Sequence, residues 1–200
     1  MKLCHSPLSP FVRRVHITAS HHNLIDQIDI EDSDHSDMFK GNNPSNPLGK
    51  IPSLTLDNGD VLFDSLVICE YLDSIGSGSK LFPAAGPERW KVLTLHAMAD
   101  GMTDACYQRR VDSIMPDGEG SPSWNARLKL AMENCLDEME RQAESYAGIM
   151  NIGTIAVACA LGYHDFRFSA EQWRNGRPKL EAWYNEFATL PSFAETVPEG

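Results

Sequence analysis

The chain carries little positive charge for its size. Its 200 residues include 17 lysines and arginines against 28 aspartates and glutamates, so the formal net charge is −11. The excess of acid is spread evenly, since residues 1–80 carry −5 and residues 81–200 carry −6. Phosphate backbones and anionic lipid surfaces repel a chain of this kind. We therefore expect neither a nucleic-acid partner nor a membrane partner.

Long apolar segments are also missing. The longest apolar run covers the nine residues from Ile155 to Tyr163, whereas a membrane-spanning helix needs about 20. The first residues, Met1 to Ser6, contain neither the apolar stretch nor the small-residue cleavage site of an export signal. These absences predict a cytoplasmic protein.

The five cysteines form no evident pairs. They are odd in number, widely spaced and never in a Cys-x-x-Cys arrangement, so neither a dithiol centre nor a zinc site is expected. The histidines of the first 35 residues show no metal-ligand spacing either. The sequence therefore predicts isolated, mostly buried thiols, no metal ion and no bound cofactor.

The first part of the chain alternates strand-like and helix-like patterns. Four short strands are predicted, at residues 1–5, 24–30, 53–56 and 61–63, and the last two are joined by a turn at Asn58-Gly59. Two helices are predicted, one from Pro10 to about His21 and one to Leu72 that is capped by Ser65. The polar residues 31–46 predict a loop. This order indicates a small mixed α/β unit.

The remainder of the chain has helical spacing throughout. Residues 75–87 are rich in Gly, Ser and Pro and predict a linker, which gives domains at 1–78 and 86–200. Helices are predicted at residues 88–110, 124–146, 151–163 and 178–188. Residues 151–163 are apolar on every side, as in a helix at the centre of a bundle. The second domain is therefore expected to be all-α.

The start of the first helix is a candidate site for an anion. Backbone N–H groups are unpaired there and the helix dipole is positive, so a thiolate would be stabilised. Glutaredoxin-type proteins place Cys-Pro-aromatic-Cys at this point of a βαβ unit, and here Ser9 and Val12 replace both cysteines. Ser9 could donate to the sulfur of another molecule, or it could be only the helix cap.

Two further elements could hold a peptide. A cis bond at Ile51-Pro52 would turn the Ile51 N–H and C=O outward, where they could pair with an extended ligand. At Asp64-Ser65, the N–H groups of a second helix start could bind a carboxylate, and the Asp64 carboxylate could bind an ammonium group. Taken singly, the first is a common turn signal and the second an ordinary cap.

In combination, these elements resemble a known family. The segments concerned are Ser9 to Arg13, Asn46 to Leu54, Asp64 to Leu72, Ile155 to Arg167 and Pro191 to Thr196. In this order and spacing the chain resembles the cytosolic glutathione S-transferases along nearly its whole length, in particular bacterial members with Ser at the catalytic position. The resemblance implies a thioredoxin-like N-terminal domain, an all-helical C-terminal domain and a homodimer.

The resemblance also implies site residues. Ser9 would donate to the glutathione sulfur and lower its pKa, and Ile51 would pair with the cysteinyl backbone. Asp64 and Ser65 would hold the γ-glutamyl end, and Lys50 suits the glycine carboxylate. The implied function is a detoxifying transferase that joins glutathione, as co-substrate, to a small electrophile. The alternatives are a non-catalytic glutathione-binding module and a glutathione-dependent peroxidase or reductase.

Some features stay open at this point. The family often caps its central C-terminal helix with Ser or Thr followed by Asp, but here the pair is Asn151 and Thr154, so a weaker helix start is expected. Cys4 is a minor candidate for a mixed-disulfide nucleophile. An acid at Asp100 or Asp104 could approach a partner subunit's site. Side chains that could line a second-substrate pocket are Met102, Tyr107 and Trp173.

Overall fold

A computed structural model of the chain describes residues 1–33, 43, 45–116 and 119–198. Its strands are β1 (Lys2–His5), β2 (Asp29–Asp32), β3 (Ser53–Thr55) and β4 (Val61–Leu62). Its helices are α1 (Pro10–His21), α2 (Ser65–Ile75), α3 (Gly86–Asp112), α4 (Pro122–Gln142), α5 (Ile152–Arg167), α6 (Pro178–Phe187) and α7 (Pro191–Ala194). Short 3-10 helices lie at Ile25–Gln27 and Ala143–Tyr146. Of the predicted loop at 31–46, residues 34–42 and 44 lie outside the described residues.

The strands form one mixed sheet in the first unit. Within the described residues the order is β2-β1-β3-β4, with β1 parallel to β2 and antiparallel to β3. β3 is in turn antiparallel to β4. Helices α1 and α2 pack together in the same unit. This is the thioredoxin-like arrangement that was expected, followed by a helical region.

The second strand begins later than predicted. Residues 24–30 alternate in polarity, yet the structure has a 3-10 helix at Ile25–Gln27 and starts β2 at Asp29. The reason is register, because Asp29 pairs with Lys2 at the start of β1. Residues before Asp29 therefore lie beyond the end of the neighbouring strand and cannot join a ladder with it.

The chain folds as two compact units, and their boundary differs from the predicted one at the C-terminus. The second unit is Ala84–Leu190, and the described residues from Pro191 onward belong with Met1–Pro83. The cause is Arg13 of α1, whose Nη2 donates to the Phe193 carbonyl at 2.8 Å and whose Nε donates to Thr196 Oγ1 at 3.1 Å. Its guanidinium also lies 3.6 Å from the Phe193 ring centre. The predicted domain 86–200 was therefore too long.

Helix α5 forms the centre of the second unit. Every residue from Ile152 to His164 is buried, and α5 packs mainly against α3. The start of α5 is more completely capped than expected. Asn151 Oδ1 accepts from the Thr154 N–H and Thr154 Oγ1 accepts from the Asn151 N–H, each at 3.0 Å. The threonine hydroxyl thus closes the capping box without a charged partner.

Ion pairs connect helices of the second unit to segments that are distant in the sequence. Arg109 of α3 makes two hydrogen bonds to the Glu171 carboxylate, at 2.6 and 2.9 Å. Arg177 bonds to both Glu133 and Asp137 of α4. None of the helices in the described ranges has the length and apolar character needed to cross a membrane.

Candidate functional site

Strand directions bring the three candidate elements to one edge of the sheet. β1 ends at His5 and leads to Ser9. β3 is antiparallel to β1, so its start at Ser53, just after Pro52, lies beside Cys4 near the end of β1. β4 is antiparallel to β3, so its end, which leads to Asp64, lies at that same edge. The first unit thus gathers segments that are between 12 and 55 residues apart in the sequence.

Ser9 both caps α1 and keeps a proton to donate. Its Oγ accepts from the Val12 N–H at 3.3 Å, which is the geometry of an N-cap. A serine oxygen that accepts one bond can still donate its own proton, and within the described part of the chain no acceptor for that proton is found. Pro10 has no N–H, and the Val12 N–H donates to Ser9. The N–H of Phe11 is therefore the one in the first turn of α1 that remains for a ligand. The two readings of Ser9 are compatible.

The Ile51–Pro52 bond is cis, the geometry predicted from the sequence. Pro52 is buried and Ile51 is half-buried. The Ile51 N–H and C=O meet no backbone partner in the described ranges, so both groups are available to an extended ligand. Lys50 is exposed, and its ammonium can move toward an anion near the turn.

Two buried asparagines hold this turn in place, and the sequence interpretation missed their role. The side-chain amides of Asn43 and Asn46 each donate to the Lys50 carbonyl at 2.8 Å. Asn43 also donates to Ser53 Oγ at 2.7 Å, which connects the turn to β3. Both residues precede a proline in the sequence, and an Asn-Pro pair is a turn signal that could have identified them.

The start of α2 differs in detail from the prediction. Asp64, not Ser65, is the N-cap, and its Oδ1 accepts from the Leu66 N–H at 3.0 Å. Asp64 is exposed, and its second oxygen has no partner among the residues described, so it can still meet an ammonium. Ser65 is the first residue of the helix and is 3% exposed. Its N–H has no acceptor within the helix, as is usual for a first turn.

The remaining candidate residues are less suited to a functional site. Burial raises the pKa of the Cys4 thiol, and nearby Glu31 raises it further, which disfavours a thiolate there. Met102 and Trp173 are core residues with 1% and 2% exposure, so they cannot line an open pocket. Tyr107 is 40% exposed on α3. In the described ranges, no three His, Cys, Asp or Glu side chains gather as metal ligands would.

Comparison with known proteins assigns the chain to a family. Residues 3–80 match the model of the glutathione S-transferase N-terminal domain. The "uncharacterized GST-like protein YibF" of Escherichia coli (strain K12) is 31% identical over 99% of this chain and 98% of its own length. The chain belongs to the glutathione S-transferase family. Because that alignment covers nearly all of both proteins, the assignment includes the helical second unit of this chain.

Two solved structures of the family are similar to this chain throughout. A glutathione transferase family member from Pseudomonas fluorescens Pf-5 with bound glutathione is 38% identical, with a TM-score of 0.93 over 100% of this chain and 99% of that one. A structure from the same organism with bound S-(propanoic acid)-glutathione gives a TM-score of 0.92 at 38% identity, with complete coverage of both chains.

Proposed function

We propose that this protein is a glutathione transferase that ionises the thiol of glutathione beside Ser9 and directs it at a small electrophile. The proposal rests on one observation: three elements that could each bind part of a peptide lie at the same edge of the sheet. These are a capped helix start, the Ile51 backbone and a second helix start, whose Ser9 proton, Ile51 amide groups and second Asp64 oxygen have no partner among the described residues. The glutathione-bound relative at 38% identity supports the choice of ligand.

Each part of the tripeptide has a matching group. The cysteinyl N–H and C=O pair with Ile51, as an added strand would. The γ-glutamyl carboxylate accepts from the N–H and hydroxyl of Ser65, and its ammonium meets the free oxygen of Asp64. Lys50 approaches the glycine carboxylate. The asparagine amides that bind the Lys50 carbonyl keep the Ile51 groups in position for this pairing.

The chemistry is the activation of a nucleophile. A free thiol has a pKa of ~8.5, and a helix N-terminus with a hydroxyl donor lowers it, so that more thiolate is present at neutral pH. The proton leaves to solvent, and the sulfur bonds to an electrophilic carbon. In a displacement the leaving group departs with its bonding electrons. In an addition to a double bond, the neighbouring atom takes the electrons and a proton.

Two other functions compete with the transferase. Free Ser9 and Ile51 groups are equally compatible with a protein that binds glutathione without turnover, or with a glutathione-dependent peroxidase or reductase. The propanoate thioether bound by the Pseudomonas relative makes unsaturated carboxylic acids sensible members of a substrate panel. A cytoplasmic role in detoxification belongs to the same proposal.

We further propose a homodimer. Large apolar side chains are exposed on α2 and on α3, with Val67, Ile75 and Trp90 exposed at 46%, 48% and 66%. Two-fold pairing is the commonest way to cover such surfaces. Sedimentation at micromolar concentration should give twice the 22.2 kDa chain mass. A species of the single-chain mass would rule the dimer out.

The decisive test is turnover. The purified protein is offered aromatic halides, epoxides, unsaturated acids and hydroperoxides, with and without glutathione, and products are followed by mass spectrometry. Glutathione-dependent thioether formation supports the transferase, and oxidised glutathione alone supports the peroxidase. Tight glutathione binding without any product supports the binding module. Failure to bind glutathione contradicts the whole proposal.

A further inference from the structure

A buried arginine lies behind the proposed γ-glutamyl site. Arg14 is on α1, one residue after the arginine that holds the C-terminal segment, and none of its surface is exposed. Its Nη1 donates to Ser65 Oγ at 3.2 Å, and its guanidinium lies 5.6 Å from the Phe11 ring centre. Both ends of the hydrogen bond are within the first unit. The sequence interpretation gave Arg14 no role.

The chemistry of the two groups fixes the direction of this bond. Arginine carries only donors, whereas a serine hydroxyl has one proton and two lone pairs. At the contact the Ser65 oxygen must therefore accept, and its proton has to point elsewhere. Apart from this bond, the described residues offer the Ser65 hydroxyl no partner. The arginine thus leaves Ser65 as a donor for whatever anion approaches the start of α2.

We propose that Arg14 is a positioning residue that selects for the α-carboxylate of the γ-glutamyl group, acting through Ser65. This inference rests on the proposed function, because it takes glutathione as the ligand. A carboxylate that accepts from the Ser65 hydroxyl would lie within roughly 6 Å of the guanidinium, since an O–H···O bond adds about 2.7 Å. Little water separates the charges in so buried a setting, and the cation therefore strengthens the carboxylate contact.

The test uses three ligands that differ only at the γ-glutamyl end. They are glutathione, glutarylcysteinylglycine, which lacks the α-ammonium, and γ-aminobutyrylcysteinylglycine, which lacks the α-carboxylate. In Arg14→Met the dissociation constants of the first two should rise about tenfold, which corresponds to ~1.4 kcal/mol, while that of the third changes less than about twofold. A purely structural role would weaken all three alike.

Arg13→Met is the matched control. It makes the same change on the neighbouring residue of the same helix, and Arg13 is nearly as buried, at 5% exposure. This variant should lose stability through its contacts to Phe193 and Thr196, and the ratio of the three dissociation constants should not change. In a Ser65→Ala background, Arg14→Met should have much less effect on glutathione, because the hydroxyl it orients is gone.

If Arg14→Met does not fold, Arg14→Lys replaces it, since lysine keeps the charge and can still donate to Ser65. Its loss of affinity should be smaller and again confined to the two ligands that keep the carboxylate at the γ-glutamyl end. Equal weakening of all three ligands in either variant overturns the inference and leaves the glutathione site standing. If the unmodified protein binds none of the ligands, the proposed function fails first and the inference with it.

Discussion

Replacing Ser9 by alanine would remove two hydrogen bonds of different kinds. One is present in the free protein, where Ser9 Oγ accepts from the Val12 N–H at 3.3 Å and so caps α1. The other is the proposed bond, in which the same hydroxyl would donate to the sulfur of bound glutathione. The first loss changes stability, and the second changes the pKa of the bound thiol. The two effects can therefore be measured separately.

The sizes of both effects follow from the type of bond. Loss of a serine N-cap costs about 1 kcal/mol of stability. A hydrogen bond to a charged group contributes about 1.5–3 kcal/mol, and one pKa unit is about 1.36 kcal/mol, so the thiol pKa should rise by ~1–2 units. The helix dipole and the Phe11 N–H remain and support part of the ionisation. We therefore expect slower turnover near neutral pH and recovery at high pH.

Titration of the thiolate absorbance of bound glutathione measures the pKa directly, and chemical denaturation measures the stability. Ser121→Ala is the control, because Ser121 caps α4 in the same way. Its Oγ accepts from the Trp124 N–H at 3.4 Å, and proline again follows the cap. Both variants should lose similar stability, and only Ser9→Ala should shift the thiol pKa. Equal pKa values in Ser9→Ala and the unmodified protein would refute the proposed donation and leave Ser9 as a cap.

Three other predictions concern stability and the shape of the site. Burial lowers the pKa of His22, and burial together with nearby His5 lowers that of His16 to about 4. The unfolded chain therefore binds more protons than the folded one below about pH 6.5, and the free energy of unfolding should fall as the pH drops from there toward 4. Arg109→Met should lower the free energy of unfolding by about 1.5–3 kcal/mol, because it removes two hydrogen bonds to the Glu171 carboxylate, which then depends on the half-exposed Lys129 at 3.4 Å. Asn43→Ala should weaken glutathione binding about tenfold, since the turn before the cis proline loses one of its two anchors.

Each of these predictions has a control. Replacing both histidines by glutamine should reduce the slope of the pH profile of unfolding, although His164, whose pKa burial also lowers, still contributes. An unchanged slope would contradict the assignment to His16 and His22. Arg141→Met removes an ion pair between exposed side chains, so it should change the free energy of unfolding much less than Arg109→Met does. A similar cost for Arg109→Met would show that burial adds nothing there. Asn58→Ala alters an exposed turn asparagine, and its glutathione affinity should match that of the unmodified chain.

Much of the architecture could be predicted from local patterns. Helical spacing located α3 to α6 to within a few residues, and the apolar run of residues 151–163 became the fully buried helix α5. The turn at Asn58-Gly59 and the cis bond at Ile51–Pro52 were also predictable. In these places the residues that decide the conformation are neighbours in the chain, because propensity, periodicity and turn chemistry act over a few residues.

Other features needed the tertiary structure because their causes are far apart in the chain. The start of β2 depends on its register with β1, about 27 residues earlier. The last described residues join the first unit because Arg13 bonds to a carbonyl 180 residues away. Asp64, not Ser65, caps α2, because Ser65 is already helical and Asp64 Oδ1 accepts from the Leu66 N–H. The Ser65 hydroxyl instead accepts from Arg14, 51 residues before it. The residue types and order of the candidate site were thus determined by the sequence alone, whereas the partner of each polar atom was decided only when distant segments packed together.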